Sequence, residues 1–286
     1  MPLPDTQGTL PSGKAPKREI SPNTVSRSKK KVSNTTPVWL RALGRRDLPS
    51  EITIAGERYQ HTRTYKHDFF AATAAYTGPA GRVILKLQRQ ADFFGLPLAW
   101  IGRFLVRREA RLLARSQSVP GVPRYCGTWG ETGLVHAYVA GHPLGRQDVV
   151  NDEFFPRLDA MLDEIHGMDM AYVDLEKREN ILLGDDGRPY LIDFQISWCL
   201  DSDSHSTSWP ARKILTILQT ADRYHLLKHW RRARPDQLSD GQIAESSRPP
   251  FWIAWHRLLF RPLTKLRRQV LTGLGARSSP HGRSPG

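Results

Sequence analysis

Between Ile181 and Ile192 the chain can do little except double back on itself. Ile181-Leu182-Leu183 and Pro189 to Ile192 are short apolar runs of strand length, and Gly184-Asp185-Asp186-Gly187 between them is a tight-turn sequence. Antiparallel pairing puts Asn180, which enters the first strand, and Asp193, which leaves the second, at the same open end. Asp174 lies on the loop that feeds that end. A carboxylate and an amide oxygen suit a hard cation such as Mg²⁺, while a separate carboxylate suits the proton of a hydroxyl group. Such a set serves phosphoryl transfer.

Upstream, residues 51–88 read as strands. Thr62 to Thr77 is rich in Thr, Tyr, Phe and Ala, Gly78-Pro79-Ala80-Gly81 is a turn, and Arg82 to Leu87 resumes as a strand. Residues 97–116 read as a helix with Ile101, Leu105, Leu112 and Leu113 on its apolar stripe, and Glu109 falls on the same stripe. A carboxylate on a buried face wants a cationic partner, and Lys86 in Val83-Ile84-Leu85-Lys86-Leu87 is the leading candidate. Val122 to Thr128 and Leu134 to Val139 are further strands. Asn151 or Asp152 is expected to cap a helix running to His166, and Ala211 to Arg232 reads as another helix, with Ile214, Leu218, Ala221, Tyr224 and Leu227 on one side.

The window from His166 to Phe194 resembles the catalytic loop and metal-binding segment of the protein-kinase-like superfamily. The matching residues are Asp174-Leu175-Glu176-Lys177-Arg178-Glu179-Asn180, then Ile181-Leu182, then Asp193-Phe194-Gln195. His166 matches the His that ends the preceding helix in many kinases. The interval from Asp174 to Asn180 is one residue longer than usual, Tyr172-Val173 replaces His-Arg, and Gln195 replaces Gly. Asp222-Arg223-Tyr224-His225-Leu226-Leu227-Lys228-His229 resembles the C-lobe of lipopolysaccharide core (heptose/Kdo-type) kinases, and the resemblance covers roughly residues 60–235.

That resemblance implies an α+β, two-lobed protein-kinase-like fold: a small β-rich N-lobe over about 51–140 and a mainly helical C-lobe over about 141–250. It implies ATP and Mg²⁺ as cofactors, with Asp174 as the base and Asn180 and Asp193 as metal ligands. Lys86, oriented by Glu109, would sit on the α/β-phosphates and Lys177 on the γ-phosphate. Ala137 to Gly141, Ala137 and Val139 in particular, would be the hinge that meets adenine. No G-x-G-x-x-G precedes Lys86, so the phosphate loop is placed near Lys66-His67-Asp68-Phe69-Phe70, with ordinary backbone amides as donors. The absence of G-x-x-x-x-G-K-[ST] excludes the usual P-loop NTPase. Asp222 is read as a structural carboxylate that anchors the catalytic loop. His225 and His229 lie at i, i+4, but no third metal ligand is in view.

The formal charge of +14 sharpens the choice of partners because it is unevenly placed. Residues 1–36 carry seven Lys/Arg against Asp5 and Glu19, residues 251–286 carry seven with no acid, and 37–250 retain only +2. A nearly neutral body makes nucleic acid an unlikely partner for it. Residues 1–36 read as a disordered basic arm. In 251–286, Phe251, Trp252 and Trp255 among Arg257, Arg261 and Lys265 suit either packing of the tryptophans on the C-lobe or an anionic membrane surface. Two unrelated cysteines, no apolar leader and no run of about 20 apolar residues lead to the expectation of a cytoplasmic protein, at most peripheral at the inner face of the membrane. The acceptor expected is a lipopolysaccharide-core sugar hydroxyl; the alternatives are a Ser/Thr side chain, as in an atypical protein kinase, or no transfer at all, as in a pseudokinase scaffold.

Overall fold

A hairpin opens the first sheet. Ala55 and Gly56 both adopt positive φ (51° and 84°), the pairing a two-residue hairpin turn requires, and join β1 (Glu51–Ile54) to β2 (Glu57–His67). The computed structural model describes residues 38–92, 96–200 and 208–248. The basic arm 1–36, the segment 251–286 with its membrane-facing expectation, and most of the polar loop after Leu200 lie outside the described residues.

β3 (Ala71–Gly78), β4 (Gly81–Gln88), β5 (Tyr125–Trp129) and β6 (Gly133–Ala137) complete an antiparallel sheet in the order β1-β2-β3-β4-β6-β5. The sheet curls, so that β1 and β5 at its two edges approach each other. One face buries Ile52, Tyr59, Ala72, Ala74, Tyr76, Val83, Leu85 and Val135 as a continuous core. By the two-residue period of a strand, Ile84, Lys86 and Gln88 belong to the opposite face. That face receives α1 (Ala99–Arg115). The helix sits so close to the end of β4 that a Cβ on Gly102 would lie 2.2 Å from the Arg89 carbonyl oxygen, so glycine is required there.

After the sheet, β7 (Gly141–Pro143), α2 (Phe154–Gly167), β8 (Met170–Ala171), β9 (Ile181–Gly184), β10 (Pro189–Leu191), β11 (Trp198–Cys199), α3 (Trp209–Ala233) and α4 (Asp240–Ser247) follow. The strands form a three-stranded sheet, β10-β9-β7, and a two-stranded one, β11-β8. Phe154, Phe155, Leu158, Leu162, Ile165, Tyr172, Leu175, Phe194, Leu226 and Trp230 share one core with Val106, Leu112 and Leu113 of α1. α1 thus belongs to both packings, with Glu109 toward the sheet and its leucines toward the helices. Among the described residues no helix is long and apolar enough to cross a membrane.

Three expectations about elements need correction. Neither Asn151 nor Asp152 caps α2, which starts after Glu153 without a side-chain cap. Asn151 Nδ2 donates instead to the Gly187 carbonyl at the tip of the β9–β10 hairpin, and Asp152 pairs with Arg234. Ile214 is about half exposed, whereas the buried stripe of α3 runs through Leu215, Asp222, Leu226 and His229. The turn at Asp68-Phe69-Phe70 joins β2 to β3, because a strand precedes them, and its amides are already engaged: Asp68 Oδ1 accepts from Phe70 N–H and Ala71 N–H, both at 3.0 Å.

Candidate active site

The β9–β10 hairpin forms with Ile181 opposite Leu191. Its ladder continues one step further, since Ile192 N–H donates to the Asn180 carbonyl at 3.0 Å. Asn180 and Asp193 are therefore brought to one mouth by backbone pairing alone. Asp193 leaves the strand in a left-handed conformation (φ 67°), a strained choice for a non-glycine residue.

Lys86 ties this mouth to the first sheet. Its Nζ donates to Glu109 Oε1 at 2.8 Å and to Asp193 Oδ1 at 2.7 Å. Three elements thus meet on one ammonium: β4, α1 and the segment after β10. Burial works against the Lys86 charge, but Glu109 and Asp193 more than offset it and hold the group above its ordinary range. Burial likewise pushes the Asp193 carboxyl up, and the Lys86 ammonium overrides it, holding the carboxyl below its usual value. Gln88 Nε2 occupies the other Glu109 oxygen at 2.9 Å. Gln88 was missed in the sequence, although its position two residues beyond Lys86 puts it on the same face of the strand.

Asp174 is nearly buried and its Oδ2 accepts from Lys177 Nζ at 2.7 Å and Asn180 Nδ2 at 2.8 Å. Lys177 is half exposed, so its ammonium stands at the solvent side of that carboxylate. With Nδ2 committed to Asp174, the Asn180 amide oxygen faces away from it. Asp193 and Asn180 thus offer one carboxylate and one amide oxygen, a donor set that fits Mg²⁺ held jointly with phosphate oxygens rather than in an all-protein cage. Among the described residues no group of three or more His, Cys, Asp or Glu is placed to hold a metal ion.

Asp222 explains how the loop before Asp174 holds its shape. Its fully buried carboxylate accepts from Tyr172 N–H (2.7 Å) and Val173 N–H (2.8 Å), and faces His166 Nε2 at 3.2 Å. Burial pushes this carboxyl up, against the pull of His166 and the two amides. Val173, held by that bond, adopts φ 71°, which a β-branched residue rarely tolerates. Tyr172 is a second residue that sequence reasoning passed over. Its hydroxyl donates to the Ile192 carbonyl, its own carbonyl accepts from Ser197 Oγ at 2.9 Å, and its ring meets Phe194 edge-on at 5.3 Å. It couples the Asp174 loop to the Asp193 segment on both sides.

The connection between the two sheets runs through Tyr138 to Ala140. Tyr138 N–H donates to Arg82 O (3.0 Å), and Ala140 O accepts from Asp185 N–H (2.9 Å). Val139 is the peptide between these anchors. Ala137 closes β6, its N–H on Arg124 O and its carbonyl facing His136 Nδ1 at 2.9 Å. Both residues lie where the chain crosses from one sheet to the other, and neither contacts the Lys86–Asp193 cluster through a hydrogen bond among the described residues.

His229 fixes the loop on its far side, its Nε2 lying 2.8 Å from the Leu175 carbonyl, and burial pushes its pKa down to about 4. Because the unfolded chain, with an ordinary value of 6.5, takes up that proton first, stability falls as pH drops from 6.5 toward 4. Between pH 7 and pH 5 this one group is expected to remove about 2 kcal/mol. Urea unfolding at the two pH values checks it: His229→Gln should flatten the slope by that amount, and an unchanged slope would assign the acid sensitivity elsewhere.

Comparison with known proteins yields no match, either to a family model or to a curated protein.

Proposed function

We propose that this chain is an ATP- and Mg²⁺-dependent phosphotransferase acting on a hydroxyl acceptor, arranged as a two-lobed protein-kinase-like enzyme. The observation that carries the reading is Lys86 shared between Glu109 and Asp193, because it sets a buried, permanently charged ammonium beside a carboxylate at the mouth of the hairpin. A buried ammonium kept charged by two carboxylates suits the phosphates of a nucleotide. The acceptor favoured by the sequence resemblance is a sugar of a lipopolysaccharide core.

In this reading Asp174 takes the proton of the acceptor hydroxyl. The acceptor oxygen bonds to the γ-phosphorus as the bond from that phosphorus to the β–γ bridging oxygen breaks, and ADP leaves with the electron pair. Lys177, already against Asp174, balances charge at the transferred group, and Lys86 holds the α/β-phosphates. Asn180 has two tasks: its amide N–H orients Asp174, and its amide oxygen joins Asp193 in holding Mg²⁺. The ion, when bound with ATP, neutralises phosphate charge. The Val139 peptide, between its two anchored neighbours, offers an N–H and a carbonyl for the adenine edge. Asp222 and Tyr172 keep the two halves in register, which is where most of the rate would come from, since phosphoryl transfer depends on positioning and charge.

Calorimetry with Mg²⁺ and a non-hydrolysable ATP analogue tests the nucleotide part. Wild-type protein should bind the analogue in a Mg²⁺-dependent manner. Asp193→Ala should weaken it by about tenfold to a hundredfold, the effect of losing a charged contact. Equal binding by both proteins, or no dependence on Mg²⁺, would remove Asp193 from the metal site.

A further inference from the structure

Beside the Asp174 loop lies a convergence of positive charge that the mechanism above does not use. Arg178, four residues beyond Asp174, sends its Nη2 to the Gly145 carbonyl, which places its guanidinium against the peptide preceding Arg146. From the other side, α3 is pinned to the same loop by His229 on the Leu175 carbonyl, and Arg232 follows one helical turn later. Arg146 and Arg232 lie within electrostatic reach of Arg178. Both are exposed, and among the described residues neither makes an ion pair. Arg178 Nε is shielded from solvent without a hydrogen-bond partner. One acid, Asp148, lies within electrostatic reach of Arg178, and its Oδ2 also accepts from Gly145 N–H at 2.7 Å and faces His142 Nε2 at 3.0 Å.

Three guanidiniums near a single carboxylate, Asp148, leave an excess of positive charge, and their mutual repulsion is only partly offset. A dianion would reverse the sign, because guanidinium forks match phosphate oxygens two at a time. We infer that Arg146, Arg178 and Arg232 form a seat for a phosphate group carried by the acceptor, so that the substrate is an already phosphorylated alcohol or sugar whose free hydroxyl is presented to Asp174. Its role as an acceptor subsite rests on the phosphotransferase reading; the anion seat itself does not.

The test uses the full chain, with the nucleotide site filled by Mg²⁺ and the non-hydrolysable analogue, and titrates inorganic phosphate by calorimetry. Glucose 6-phosphate and phosphatidylcholine vesicles with and without phosphatidic acid form parallel arms that separate a soluble phosphate from a lipid headgroup. The double variant Arg146→Ala/Arg232→Ala removes two exposed side chains. The double variant Arg212→Ala/Lys213→Ala removes the same charge from another exposed stretch of α3 and serves as the control. Phosphate affinity should fall about tenfold or more in the first variant and stay within twofold of wild type in the second. Equal losses in both would show attraction to net charge only, and no phosphate binding, or binding indifferent to the first variant, would overturn the seat. If the analogue fails to bind while phosphate still depends on Arg146 and Arg232, the nucleotide reading fails and the seat stands. If the analogue binds and phosphate ignores them, the seat fails alone.

Discussion

Asp174→Ala should reduce phosphoryl transfer by about a hundredfold to ten-thousandfold, the range for losing a positioned general base, while affinity for Mg²⁺ and ATP stays within a few-fold. The separation follows from the contacts. Asp174 holds Lys177 and the amide N–H of Asn180, whereas the Lys86–Glu109–Asp193 cluster makes no hydrogen bond to it among the described residues. Steady-state rates and analogue binding on the same preparation measure both quantities. Near-normal turnover would remove Asp174 from the chemistry, and a collapse of nucleotide affinity would mean that it serves binding instead.

Asp222→Ala should be the most destabilising single change in the C-terminal half, at about 3–5 kcal/mol. It strips two backbone N–H groups and His166 of their acceptor in a site with no solvent access. It also releases Val173 from the bond that holds its positive φ. Asp222→Asn keeps one acceptor oxygen and should lose roughly half as much. Urea midpoints of the three proteins provide the comparison. A loss below about 1 kcal/mol for the alanine variant would show that the loop is held by its hydrophobic neighbours rather than by this carboxylate.

What was legible in the sequence was local or periodic. The hairpin announces itself by two apolar runs around a Gly-Asp-Asp-Gly turn, so the mouth carrying Asn180 and Asp193 could be placed without a structure. The Lys86–Glu109 pair was legible because Glu109 violates an otherwise apolar stripe and only a nearby cation resolves that conflict. Contacts between polar groups far apart in the chain carry no such signature. Tyr172 looked like a mere departure from a motif, yet its hydroxyl, carbonyl and ring bind three parts of the Asp193 segment. The buried side of α3 was misread at Ile214 because its true stripe contains Asp222 and His229, which a count of apolar residues passes over. Asn151 and Asp152 had the chemistry of caps but found the hairpin tip and Arg234 instead. The Asp68 turn lies between β2 and β3 rather than at the first hairpin, and its own carboxylate holds it by accepting from Phe70 N–H and Ala71 N–H.

The most direct test of the central claim is transfer from ATP labelled at the γ-phosphate, with Mg²⁺, by the full chain in the presence of a lipid-sugar extract. Wild-type protein should place label in the lipid-sugar fraction, and both omission of Mg²⁺ and Asp174→Ala should abolish that signal. Label appearing only on protein would keep the phosphotransferase and exclude the sugar acceptor. Folded wild-type protein that moves no label to sugar, protein or water, or that moves it equally well without Asp174, would contradict the account.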